Sequence, residues 1–271
     1  MAPTGGGTTV RSLGSTQGLQ FRWVRRARDV HGVARAAADE VLRLGHEAVE
    51  QRGVFRVALS AGRTMRPLHE LVARSTTARF DRWHFYWVDE TCVAPDHERS
   101  HFLMAQETLL GRLELSHHQL HRIPAELGSP AQVAEAYEDE LRYSFGVDRY
   151  ELPRFDCVLL GLGEDGAVGS LFPDSPALEE EERLVVANWD DRPHGHRVTL
   201  TLPALNAARA VIHVVSGATK APALAQALGE GGPERQVPSR GVCPQDGTVL
   251  WVVDEAAAAA ASRPEEDYAT A

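Results

Sequence analysis

Several short stretches of this chain gather the residue types that do chemistry, and each follows an apolar run. Ser60-Ala61-Gly62-Arg63-Thr64 follows Val54 to Leu59, and Asp89-Glu90 follows Trp83 to Val88. Gly161-Leu162-Gly163-Glu164-Asp165-Gly166 follows Phe155 to Leu160, and Ser216-Gly217-Ala218-Thr219-Lys220 follows Val211 to Val215. A turn of small residues that opens a helix exposes backbone N–H groups, and the helix start adds a field that favours an anion. Ser60, Gly62 and Thr64 are therefore candidates for a phosphate cradle. Asp89, Glu90 and Asp165 are carboxylates at strand ends, where they can order a site or simply cap a helix. Arg197 and Lys220 begin or follow strands as cations that could offset ligand charge locally.

The elements that must position these residues are legible from periodicity. Val30, Ala34, Ala37, Val41, Leu44 and Ala48 recur at helical spacing, with Gly53 as the stop. After the turn at residues 60–64 a helix is expected around Pro67 to Val72, and another from about Arg99 to Leu110. A further helix should run from Lys220 through Leu228, and Thr248 to Val253 supplies a late strand before a closing helix, Glu255 to Ala261. Strands that alternate with helices imply an α/β, Rossmann-like fold: a mainly parallel sheet with helices on both faces. In such sheets ligands bind at the carboxyl ends of the strands, where the clusters above fall. Residues 1–19 read as a flexible leader, 20–262 as a single α/β domain and 263–271 as a flexible tail. Gly229 to Gly247 reads as a long surface loop.

The formal net charge of −10 argues against a general nucleic-acid or anionic-membrane binder, which needs a basic surface. Any anionic ligand must then be held by a local cluster of donors. Cys92, Cys157 and Cys243 fit no zinc spacing and leave an odd thiol in any pairing, so a reducing cytoplasm is the simplest setting. His117, His118 and His121 lack a partner spacing for metal and read as a solvated connection. Trp83, Phe85 and Trp87 alternate along a strand as core residues. Gly161, Gly163 and Gly166 satisfy the dinucleotide fingerprint, but Pro173 would interrupt the helix that such a site needs.

Taken together and in order, the clusters resemble the 6-phosphogluconolactonase family. Residues 60–64 are similar to its Ser-Gly-Gly-x-Thr-Pro turn, and Trp87-Val88-Asp89-Glu90-Thr91-Cys92-Val93 to its Trp-x-Asp-Glu-Arg-x-Val strand end. Gly161 to Ala167 with Ser170-Leu171-Phe172-Pro173 is similar to Gly-x-Gly-x-Asp-Gly-His followed by Ser-Leu-Phe-Pro. Arg197 to Pro203 and Gly217 to Ala221 complete the series. The wider superfamily includes glucosamine-6-phosphate deaminases, whose Asn-Glu-Pro ending is absent here.

The resemblance implies a sugar-phosphate or lactone ligand, a place in the pentose phosphate pathway, no metal and no organic cofactor, and binding roles for Ser60, Gly62, Arg63, Thr64, Asp89, Glu90, Gly166, Ser170, Arg197 and Lys220. It also exposes departures. Ala61 replaces a glycine, and Thr91 replaces an arginine, a charge that Arg63 could restore. Ala167 stands where the family carries its general-base histidine, and a methyl group takes no proton. His101, at a place where the resemblance expects asparagine, is the candidate replacement base beside Asp165; His97, His194 and His196 are less well placed. Two readings stay open: a lactone hydrolase with an altered site, or a non-hydrolytic homologue that binds a sugar phosphate or related metabolite. Oligomeric state is not legible.

Overall fold

A computed structural model describes residues 10–13, 22–190, 195–229 and 234–260. The strands in chain order are β1 (Val10–Leu13), β2 (Arg22–Ala27), β3 (Phe55–Leu59), β4 (Trp83–Trp87), β5 (Asp89–Thr91), β6 (Leu120–His121), β7 (Cys157–Leu160), β8 (Val185–Asp190), β9 (Gly195–Leu200), β10 (Ala210–Val215) and β11 (Thr248–Asp254). The helices are α1 (Val30–Arg52), α2 (Met65–Ala73), α3 (His101–Thr108), α4 (Pro130–Phe145), α5 (Leu202–Asn206), α6 (Ala221–Leu228) and α7 (Glu255–Ala258).

The main sheet runs in the order β1-β2-β11-β10-β7-β3-β4-β6. All neighbours pair in parallel except β1, which is antiparallel to β2. Every residue of β7 and β10 is buried, so side chains pointing to either face are covered. This is why β7 reads as an unbroken apolar run and β10 as one interrupted only by the buried His213, rather than as alternating strands. Trp83, Phe85 and Trp87 lie in the core as expected. Asp89, Arg197 and their neighbours belong to a second sheet of three antiparallel strands, β5-β9-β8.

Local chemistry fixes the helix ends. Asp29 accepts a hydrogen bond from Gly32 N at 2.9 Å to start α1, and Gly53 closes it in a left-handed conformation. Ser100 caps α3, which is shorter than expected because residues 110–112 continue as a separate tight turn. α4 is absent from the elements expected above, although Ser129 and Gln132 form a reciprocal capping box around Pro130 and Gly146 ends the helix. No α-helix follows the glycines at 161–166, in line with the expected effect of Pro173.

Three expectations need correction. Val10–Leu13, inside the stretch that reads as a leader, forms an edge strand; the rest of residues 1–19 and the tail from 263 lie outside the described residues. The described part of the stretch from 229 to 247 is not simply a surface loop: it includes two short turns, with Val237, Ser239 and Val242 buried. His121 is not solvated. It is buried, stacked on Tyr86 with ring centroids 4.3 Å apart, and bonded to Glu140 at 2.6 Å and to His84 at 2.9 Å.

Candidate active site

The tips of β3, β7 and β10 open at one end of the parallel sheet, and β5, β9 and the start of α3 close on them from the side. Between them lies an open cleft of about 430 Å³. Ser60, Gly62, Asp89, His101, Asp165, Ser170, Arg197 and Lys220 all line it, so the separated clusters do converge. Ala167 also faces it, at 5% exposure.

The β3 turn needs its glycine at one position only. Gly62 has φ of 127°, outside the range of other L-residues, whereas Ala61 has no positive φ and suffers no strain from its Cβ. The Gly62 N–H points at the Met104 sulfur, 3.4 Å away. A thioether is a weak acceptor, and an anion would outcompete it. The β7 turn is tighter. Gly163 N donates to Ala167 O at 2.7 Å, and Asp165 Oδ1 accepts from Ala167 N at 3.1 Å. Asp165 thereby fixes the backbone of residue 167.

The charged centre is built by the small sheet. Asp89, at 4% exposure, accepts from the Ser170 hydroxyl at 2.6 Å through Oδ2, while its Oδ1 lies 3.3 Å from His101 Nδ1. His101 Nδ1 is also 2.9 Å from the Asp89 carbonyl oxygen. A carbonyl only accepts, so Nδ1 carries the hydrogen and Nε2 holds the lone pair of the neutral ring. Nε2 lies 3.3 Å from Arg197 Nη1. Arg197 also donates to the Thr91 hydroxyl, its register partner across β5 and β9. Its buried Nε has no hydrogen-bond partner among the described residues.

Burial disfavours charge on both members of this pair, but their mutual attraction wins. The Asp89 and then Glu90 carboxylates hold the His101 imidazole above the usual histidine range against the opposing Arg197. Against the same desolvation, His101, Arg197 and the Ser170 hydroxyl hold the Asp89 carboxyl below the usual carboxylate range.

The family model described as glucosamine-6-phosphate isomerases/6-phosphogluconolactonase matches residues 28–251. The chain belongs to that family. The 6-phosphogluconolactonase of Nostoc sp. is 42% identical over 213 residues, covering 78% of this chain and 87% of the relative. The human 6-phosphogluconolactonase is 39% identical over 224 residues, covering 81% and 85%. The crystal structure of the 6-phosphogluconolactonase from Thermotoga maritima matches with a TM-score of 0.75 at 26% identity, over 86% of this chain and 100% of that one.

Not every expected site residue of this family member reaches the cleft. Arg63 is exposed and Thr64 occupies the cap position of α2 without a side-chain capping bond; neither lines the cavity. Glu90 turns away to hold α3. Its Oε1 accepts from His101 N at 2.7 Å and Thr91 N at 2.8 Å, and its Oε2 from Phe102 N at 2.8 Å and the Ser100 hydroxyl at 3.1 Å. Glu90 is thus a positioning residue for His101. Gly166 packs against Val237 instead, its carbonyl accepting from Ser239 N at 3.1 Å. His97 and His196 are also not among the lining residues, and His194 lies outside the described ones. Leu162, Glu164, Gly169 and Phe172 line the cleft without having been singled out as site residues. Leu162, Glu164 and Phe172 sit inside the quoted motifs and Gly169 between them, which was the available signal.

Proposed function

We propose that this chain hydrolyses a phosphorylated sugar lactone, with 6-phosphogluconolactone as the substrate, through a base relocated from position 167 to His101. The observation that carries this is the Asp89–His101 pair: an oriented imidazole with its lone-pair nitrogen beside Arg197, inside the cleft of a 6-phosphogluconolactonase-family chain. The curated relatives named 6-phosphogluconolactonase supply the substrate. The phosphate rests on the Ser60–Gly62 turn at the start of α2, with Lys220 as its counter-charge; among the described residues no carboxylate pairs with that ammonium.

In this scheme His101 Nε2 takes a proton from water as the water oxygen attacks the lactone carbonyl carbon. Arg197 offsets the negative charge that grows on the carbonyl oxygen, and Asp89 stabilises the imidazolium. The tetrahedral intermediate collapses by breaking the bond from the carbonyl carbon to the ring oxygen. That oxygen receives the proton from His101, and the carboxylic acid product loses its remaining water-derived proton to solvent to leave as the carboxylate. Free cysteines at 92, 157 and 243 suit a reducing cytoplasm as the setting.

One observation favours a second reading, a sugar-phosphate binder without turnover: the methyl group of Ala167 faces the cleft where the resemblance expects the base. A coupled assay that generates the lactone fresh and measures acceleration over its uncatalysed hydrolysis separates the two. Hydrolysis by the native chain that falls in His101→Gln supports the relocated base. No hydrolysis by the native chain, with recovery in Ala167→His, establishes the binder; none in either points to a different ligand.

A further inference from the structure

The opposite end of the parallel sheet holds a charge cluster that the cleft does not use. Arg52 ends α1 just before β3, Arg154 precedes β7, and Arg209 immediately precedes β10. These three strands are neighbours in the sheet, so the three side chains share its amino-terminal edge. Strands of this length put that edge about 15–20 Å from the cleft. Asp156 is the one carboxylate within ion-pair distance of them among the described residues. Its Oδ1 lies 2.9 Å from Arg52 Nε and 3.4 Å from Arg209 Nε, and its Oδ2 accepts from the Arg56 backbone N–H at 2.8 Å. The Arg56 guanidinium sits over Phe145 and takes no part. Arg154 meets only a neutral acceptor, the Asp246 carbonyl, at 2.5 Å.

Three guanidinium groups therefore share this edge with one carboxylate, an excess of two positive charges in a chain whose formal net charge is −10. Some of the donor capacity is unused: Arg209 Nε is buried with no hydrogen bond of acceptable geometry. Burial, then repulsion from Arg154 and Arg52, holds the Arg209 guanidinium below its ordinary range despite Asp156. Arg52 and Arg209 remain partly open to solvent, at 30% and 39% side-chain exposure. Anchoring Asp156 accounts for Arg52 and Arg209 at most and gives no reason for Arg154.

We propose that Arg52, Arg154 and Arg209 form a second anion site, for a phosphate group or a like tetrahedral oxyanion, whose two or more negative charges match the excess and whose oxygens match the guanidinium forks. The bound anion would tie together the starts of β3, β7 and β10, so its signature is stabilisation rather than chemistry.

The test is thermal unfolding of the full chain in inorganic phosphate against sodium chloride at matched ionic strength. Because the cleft is also expected to take phosphate, the measurement is repeated in Lys220→Ala. A rise of roughly 2–4 °C beyond chloride that persists in Lys220→Ala and disappears when Arg154→Gln and Arg209→Gln are added to that variant is the expected result. Arg154→Gln alone in the Lys220→Ala background, which loses only a contact to a carbonyl, should weaken the response while folding normally. No rise over chloride, a rise that survives the two arginine substitutions in the Lys220→Ala background, or one abolished by Lys220→Ala alone overturns the proposal. All three leave the lactonase reading untouched, since its readout is hydrolysis.

Discussion

The two sheets supply the cleft with different things. The tips of β3, β7 and β10 bring backbone: turns at Ser60–Gly62, Gly161–Ala167 and Gly217–Lys220 whose shape is set by glycines and main-chain hydrogen bonds. The strands β5 and β9 bring side chains: Asp89, Thr91 and Arg197, held in antiparallel register, with His101 attached through Glu90. In the proposed scheme the turns bind and shape, and the charged set moves protons. A residue lost from the parallel sheet's tips should therefore cost stability or affinity, and one lost from the small sheet's network should cost rate.

The largest effect expected from this division falls on His101. His101→Gln should slow lactone hydrolysis by about 10²–10⁴-fold, the usual worth of a general base, with little change in Tm. Since the base must be neutral, kcat/KM should rise with pH through the raised His101 titration. In Asp89→Asn the carboxylate that raises that titration is gone while burial and Arg197 remain, so the acid limb should move to lower pH. A pH–rate profile unchanged in either variant would mean that the chemistry sits elsewhere in the cleft.

Gly163→Ala probes the other half. A Cβ there would stand 2.2 Å from Asp165 Oδ1 and 3.0 Å from the Ala167 Cβ, so the turn must rebuild. Overpacking of this kind costs about 1–3 kcal/mol, read as a lower urea midpoint, together with a raised KM. Full stability in this variant would show that the turn is softer than its hydrogen bonds imply.

The helix layer over the parallel sheet carries a buried histidine away from the cleft. His69, on the inner side of α2, has Nδ1 3.1 Å from the Thr108 hydroxyl, which itself donates to Met104 O at 2.6 Å. Nδ1 must then be the donor, leaving a bare Nε2 among apolar neighbours. Burial, with a smaller push from Arg66, depresses its pKa to about 4. The folded ring stays neutral where the unfolded one, near 6.5, takes a proton, so this contribution is full above that value and falls as pH drops toward 4. Between pH 7 and pH 5 the native chain should lose about 2 kcal/mol by this route, and His69→Leu should lack that slope in urea unfolding. An equal pH dependence in both proteins would assign the acid sensitivity to other groups.

The same division explains what the sequence revealed. β3, β4, β7, β10 and β11 are runs of apolar residues, each ended by a turn or an acidic cap, and local pattern suffices to place them. The small sheet left no such trace. β5 is three polar residues long and pairs Asp89 with Thr199, a partner more than a hundred positions away. So the cleft's turns could be read as turns, and the resemblance brought Asp89 and Arg197 to one site. Neither pattern nor resemblance showed that Glu90 points away from the cleft into the backbone of α3. That outcome depends on four hydrogen bonds, from Thr91, Ser100, His101 and Phe102, that form only once the chain after β5 turns back to start α3 beside it.

Ser170 is where the halves join, and it gives the smallest and most discriminating prediction. Its backbone belongs to the loop after β7, and its hydroxyl donates to Asp89 Oδ2 at 2.6 Å, leaving Oδ1 for His101. Removing a hydrogen bond to a charged group is worth about 1.5–3 kcal/mol at full strength, and a partly replaceable one at a cleft wall should cost less. Ser170→Ala is therefore expected to lower kcat about tenfold, equivalent to about 1.4 kcal/mol, with KM nearly constant. Asp89 remains ionised at neutral pH without it, so the acid limb set by His101 should stay in place, unlike in Asp89→Asn. A tenfold loss with an unmoved limb makes Ser170 a positioning residue that couples the turn to the charged pair. If the limb moves as far as it does in Asp89→Asn, the two sheets are not separable in function, and the contrast between backbone tips and charged strands collapses into one cooperative site.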